Sequence, residues 1–132
     1  MESKIRSIVS ENLARLGAAD ISFAVEWPAD LAHGDFAVNA ALAASKQLGK
    51  APREIAEELV AALREGMGAD AEKVEAAGPG FVNVTLSKDA ITRELRPAQA
   101  TPDEWGGNAD QNGKRVMIEY TDPNPFKEMH IG

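Results

Sequence analysis

A chain of 132 residues is long enough for one small domain with a modest core, and 21 acidic against 14 basic residues leave it a net charge of −7. That balance argues against a general nucleic-acid binder, since Lys and Arg must neutralise phosphates; any RNA contact should be local, weak alone and strongly salt-dependent. No cysteine, two widely separated histidines (His33 and His130), no long apolar run and no signal-peptide pattern together exclude a disulfide framework, a thiolate or zinc centre and a membrane span, and point to a soluble cytoplasmic protein without a metal site.

The spacing of Ile5, Ile8, Val9, Leu13 and Leu16 predicts an amphipathic helix over 2–16, stopped by Gly17. Residues 21–27 alternate as a half-buried strand does, and Pro28 ends it. Asp35 is well placed to cap a helix from about Phe36 to Leu48, closed by Gly49; His33 before it reads as a loop residue bonding nearby backbone. Pro52 opens another helix, to about Arg64, with Ile55, Leu59, Val60 and Leu63 as its buried stripe and Glu54, Glu57 and Glu58 on its wet face. Residues 66–72 read as a turn, Lys73–Ala77 as a short strand and Gly78-Pro79-Gly80 as a second turn. Phe81–Leu86 is a clear alternating strand, with Val82, Val84 and Leu86 on one face and Phe81, Asn83 and Thr85 on the other. With the apolar set buried, Phe81 and Asn83 would be presented outward together. Ser87 or Asp89 can cap a last helix from about Lys88 to Leu95, ended by Pro97.

From Pro97 to Gly113 turn formers outnumber apolar residues, as in a linker or exposed excursion, with Trp105 its single large anchor. Lys114–Tyr120 then reads as a buried strand, followed by a Pro-Asn-Pro turn and a loop heading for a helix that begins near His130. Strand, sharp loop and helix N-terminus is how nucleotide-binding α/β folds hold phosphates, although the glycine-rich dinucleotide fingerprint and the Walker sequence are both missing. The expected fold class is α+β: a small domain over 1–96, about four helices on a short antiparallel sheet, then a linker over 97–113. Residues 114–132 would be the first strand and loop of an incomplete Rossmann-like domain, with Val116, Ile118 and Tyr120 shaped for a parallel sheet.

Pro123, Asn124, Lys127, His130 and Gly132, with Glu119 five residues before Asn124, resemble the signature loop that opens the catalytic domain of class I aminoacyl-tRNA synthetases, and within that class of arginyl-tRNA synthetases. There the run ends His-x-Gly-His, one residue beyond Gly132. A second, independent resemblance is to the additional domain that precedes the catalytic core in arginyl-tRNA synthetases. It rests on His33-Gly34-Asp35-Phe36-Ala37-Val38-Asn39, on Pro52-Arg53-Glu54-Ile55-Ala56 and on Ala77-Gly78-Pro79-Gly80-Phe81-Val82-Asn83.

The resemblance implies an arginine-tRNA ligase in the full-length protein: arginine and ATP form arginyl-adenylate, and arginine then passes to its tRNA. ATP would be a substrate with Mg2+ as counter-ion, no cofactor would be tightly bound, and the protein would be a monomer. His130 would contact the nucleotide phosphates, Gly132 would admit adenine or ribose close to backbone, and Lys127 would neutralise phosphate. Asn124 would hold the α-amino and carboxylate groups of arginine, and Glu119 its guanidinium. Plainer readings stand beside these: Glu119 as a solvated strand end, Lys127 as a surface partner of Glu128, Asn124 as a turn former. For Phe81 and Asn83 the resemblance implies contact with the tRNA D-loop, the ring stacking on a base and the amide reading its edge. The alternative makes Phe81 core and Asn83 the partner of a neighbouring loop, in a module that only braces the enzyme or binds protein. The 132-residue piece alone is expected to be catalytically inactive.

Overall fold

Ile5, Val9 and Leu13, spaced at four, are the fully buried stripe of α1 (Glu2–Leu16). Gly17 stops that helix at φ 95, a left-handed conformation that favours glycine. In the computed structural model, which describes residues 1–103, 105–107, 109 and 111–118, this helix packs beside α3 (Pro52–Met67). α3 carries the widest apolar face, with Ile55, Ala56, Leu59, Val60, Leu63 and Met67 all buried. Pro52 sits in its first turn, where a missing N–H costs nothing. α2 (Ala40–Leu48) also packs against α3, and these helices cover one face of a sheet.

The sheet has four antiparallel strands in the order β1-β2-β4-β3: β1 (Val25–Glu26), β2 (Phe36–Val38), β3 (Ala71–Ala77) and β4 (Phe81–Leu86). Register sets its inner face. Val25 opposes Val38, which opposes Val82; Phe36 opposes Val84, which opposes Val74. These side chains meet the stripes of α1 and α3 in one continuous core. Full burial stabilises each large aliphatic by about 1.5–3 kcal/mol, so this interleaved layer holds the domain together. The α+β class, with helices on a short antiparallel sheet, is therefore as the sequence predicts.

Several boundaries move. Phe36–Val38 is a strand, not the first turn of a helix: β4 and β1 take its backbone bonds on either side, and helix α2 starts only at Ala40. Asp35 accordingly caps nothing. Its carboxylate accepts from Leu86 N–H (2.7 Å) and its own N–H donates to the Val84 carbonyl (2.9 Å), so it clamps β2 to β4. The strand expected over 21–27 shrinks to Val25–Glu26, because β1 is an edge strand whose neighbour β2 has three residues. α3 continues past Arg64 because Met67 still reaches the core, and β3 begins at Ala71. Ser87 caps α4 (Lys88–Ala100), accepting from Ala90 N–H at 3.2 Å. Pro97 lies inside α4 rather than ending it; a proline removes one backbone bond, and this exposed helix continues one turn beyond.

Lys114–Ile118 forms no strand, and Val116, Met117 and Ile118 are exposed, since no other described strand pairs with them. Trp105 is 65% exposed and anchors nothing. Among the described residues no helix is long and apolar enough to cross a membrane, and no cluster of potential metal ligands occurs.

Candidate nucleic-acid interface

Among the described residues no α-helix covers the other face of the sheet, and the period of two along β4 places Phe81, Asn83 and Thr85 there. Ala37 of β2 lies opposite Asn83, and Ala77 of β3 lies opposite Phe81. The small side chains of Ala37 and Ala77 leave a hollow beside the pair, while on the β3 side Asn83 stands opposite Glu75, which is paired with Lys73 at 2.8 Å. The hollow's remaining wall comes from the segment between β1 and β2. That segment can lie against β4 only because position 34 is glycine: φ is +86, and a Cβ there would stand 2.8 Å from the Val84 carbonyl oxygen. The Asp35 clamp fixes the same crossing, and the short 3-10 turn Leu31–His33 sits just before it.

The result is a cavity of about 400 Å³ lined by Pro28, Ala29, His33, Ala37, Ala77, Gly78, Phe81 and Asn83. That volume is at the lower end of the range of small-ligand sites, roughly 300–1,000 Å³. Phe81 is 37% exposed, and Asn83 is only 7% exposed. The pair thus lies on the outer face together, as the alternation predicts, but Asn83 is sunk into the cavity rather than presented on the surface. A half-exposed aromatic ring and a buried amide among mostly apolar walls are a suitable receptor for a planar heteroaromatic ring with polar edges. The backbone N–H of His33 donates to the Asp30 carbonyl at 3.0 Å, while the residue itself lines the cavity.

Sequence reasoning missed Pro28, Ala29 and Ala37 as walls. Had Phe36–Val38 been read as a strand, its central Ala37 would have fallen on the same face as Asn83. Glu119, Asn124, Lys127, His130 and Gly132 lie outside the described residues. A second hollow, about 380 Å³ and mostly apolar, lies between α4 and Trp27; Trp27 meets Phe36 edge-on at 5.7 Å, and Ile91 and Leu95 form its other side.

Residues 3–86 match the family model described as the arginyl tRNA synthetase N terminal domain. The chain belongs to that family. The matched span of this arginyl-tRNA synthetase N-terminal domain contains every residue that lines the Phe81–Asn83 cavity. An arginine–tRNA ligase from Anaeromyxobacter dehalogenans is 49% identical over 119 residues, 89% of this chain and 20% of that protein. One from Geotalea daltonii is 37% identical over 139 residues, covering 100% of this chain and 25% of that protein. The chain thus spans between a fifth and a quarter of these relatives' length. Among solved structures, arginyl-tRNA synthetase from Plasmodium falciparum superposes with a TM-score of 0.60 at 23% identity, over 72% of this chain and 17% of that one, a likeness of fold.

Proposed function

We propose that this domain is the tRNA-reading part of an arginine–tRNA ligase, and that its outer-face cavity receives a base of the tRNA D-loop. The observation that carries the reading is the shared cavity of Phe81 and Asn83: a stacking ring and a base-reading amide, sunk among apolar walls within the span that matches the family. Unstacked loop bases are recognised by this combination, whereas a duplex would call for a broad basic face, against which a net charge of −7 argues.

The larger enzyme to which the reading assigns the chain joins arginine to ATP and then to tRNA in the cytoplasm. In it Glu119 and Asn124 hold arginine, Lys127, His130 and Gly132 serve ATP, and Mg2+ accompanies the nucleotide. A chain spanning a fifth of its relatives is expected to form no arginyl-adenylate by itself; arginine- and ATP-dependent pyrophosphate exchange above background contradicts this.

Titration against a labelled arginine tRNA transcript, and against one with its D-loop bases changed, tests the reading at low and moderate salt. Binding that weakens with salt and with the D-loop change is the expected result, and Phe81→Ala and Asn83→Ala should each erase the difference between transcripts. Base–aromatic stacking is worth about 1–3 kcal/mol, so the loss should be roughly 5- to 150-fold. Equal or absent binding to both transcripts overturns D-loop reading and leaves a bracing role.

A further inference from the structure

The walls of the cavity hold a ring and an amide but no lysine or arginine, whereas a nucleotide entering it brings a phosphate along with its base. We propose that Arg53 contacts the backbone phosphate of the nucleotide whose base occupies the Phe81–Asn83 cavity, an inference that rests on the reading above.

Arg53 is delivered to the lip by close packing. A Cβ built at Gly80 would come within 2.7 Å of Pro52 Cβ and 3.2 Å of Leu42, so the first turn of α3 lies directly against the Gly78-Pro79-Gly80 turn. From there Arg53 Nη1 donates to the Gly78 carbonyl at 3.4 Å, and Gly78 is itself a wall of the cavity. Arg53 Nε donates to Glu57 Oε1 at 3.1 Å. A guanidinium has five N–H donors, and these two bonds leave a fork that matches two phosphate oxygens. Arg53 and Glu57 are each 58% exposed, and an exposed i,i+4 pair is weak enough to be exchanged for phosphate. Among the described residues no other lysine or arginine side chain hydrogen-bonds to a residue lining the cavity. In an acidic domain one cation at the lip has a defined division of labour with the cavity: Asn83 and Phe81 discriminate bases, and Arg53 supplies affinity independent of sequence.

The experiment is a salt series of the titration described above, with the wild-type chain, Arg53→Gln, Arg53→Lys, Glu57→Gln and Phe81→Ala, each checked for folding by circular dichroism. Arg53→Gln should weaken binding several-fold and flatten the slope of log affinity against log salt by about 0.7, while keeping the ratio between native and altered D-loop transcripts. Arg53→Lys should keep the wild-type slope, Glu57→Gln should tighten binding, and Phe81→Ala should lose discrimination with its slope intact. A wild-type slope in Arg53→Gln, or a slope in Arg53→Lys as flat as that of the glutamine variant, overturns the inference and leaves base recognition standing. Failure of the wild-type chain to discriminate the transcripts overturns both.

Discussion

Gly34 and Asp35 show how two adjacent residues shape a candidate binding surface. Gly34 lets the crossing segment touch β4, and Asp35 then bonds both the Val84 carbonyl and the Leu86 N–H. Gly34→Ala should lose roughly 1–2 kcal/mol from its left-handed backbone and about 1–3 kcal/mol more from contact with a carbonyl that cannot retreat. Gly78→Ala is the control: φ is also positive at +52, but a Cβ there meets nothing within 4 Å, so only the backbone cost applies. Urea denaturation of both variants measures the difference, and equal losses would show that the crossing tolerates a side chain. Neither residue's role was legible locally. The sequence around Asp35 looks like a helix start, and the bonds that decide otherwise come from β4, distant in sequence.

At the scale of elements, legibility follows where each element's partners lie. α1, α3 and β4 could be read because their buried faces repeat within the element itself, with periods near four and of two. β2 could not, because three residues carry no period and its pairing is long-range, and β1 was legible only as part of the longer strand expected over 21–27. α4 presents a different physics. Only Ala90 of it is buried, and polar contacts hold it: Asp70 accepts from Lys4 Nζ at 2.7 Å and from Arg93, and the Met1 ammonium lies 3.0 Å from Glu94. The hydrogen bond from Lys4 is the main reason that the Asp70 carboxyl titrates below its ordinary value of 3.8; partial burial opposes it, and the charges of Lys4 and Arg93 reinforce it. A depressed native pKa gives stability that is fully present above 3.8 and is lost as pH falls through the native value. Asp70→Asn should therefore melt lower than wild type at pH 7 and converge with it in strong acid, in thermal melts followed from pH 7 to 2. A constant offset across that range would mean that the pair does not anchor α4 through its charge.

For the molecule as a whole, the sequence disclosed half of the candidate site. Alternation along β4 was enough to place Phe81 and Asn83 on one face, because neighbours at spacing two need no tertiary knowledge. The hollow around them needs Ala37 from β2, Ala77 from β3 and Pro28, Ala29 and His33 from the crossing segment, which only the assembled sheet brings together. In the proposed reading a chain of net charge −7 relies on one recessed site and a local cation rather than on a general field. The most direct test is a map of backbone amide shifts as arginine tRNA transcript is added to the isotope-labelled chain. Shifts that cluster at Ala37, Ala77, Gly78, Phe81 and Asn83, and that vanish when the D-loop bases are changed, are the predicted result. Shifts centred instead on Trp27, Ile91 and Leu95, or unaltered by the D-loop change, would contradict it.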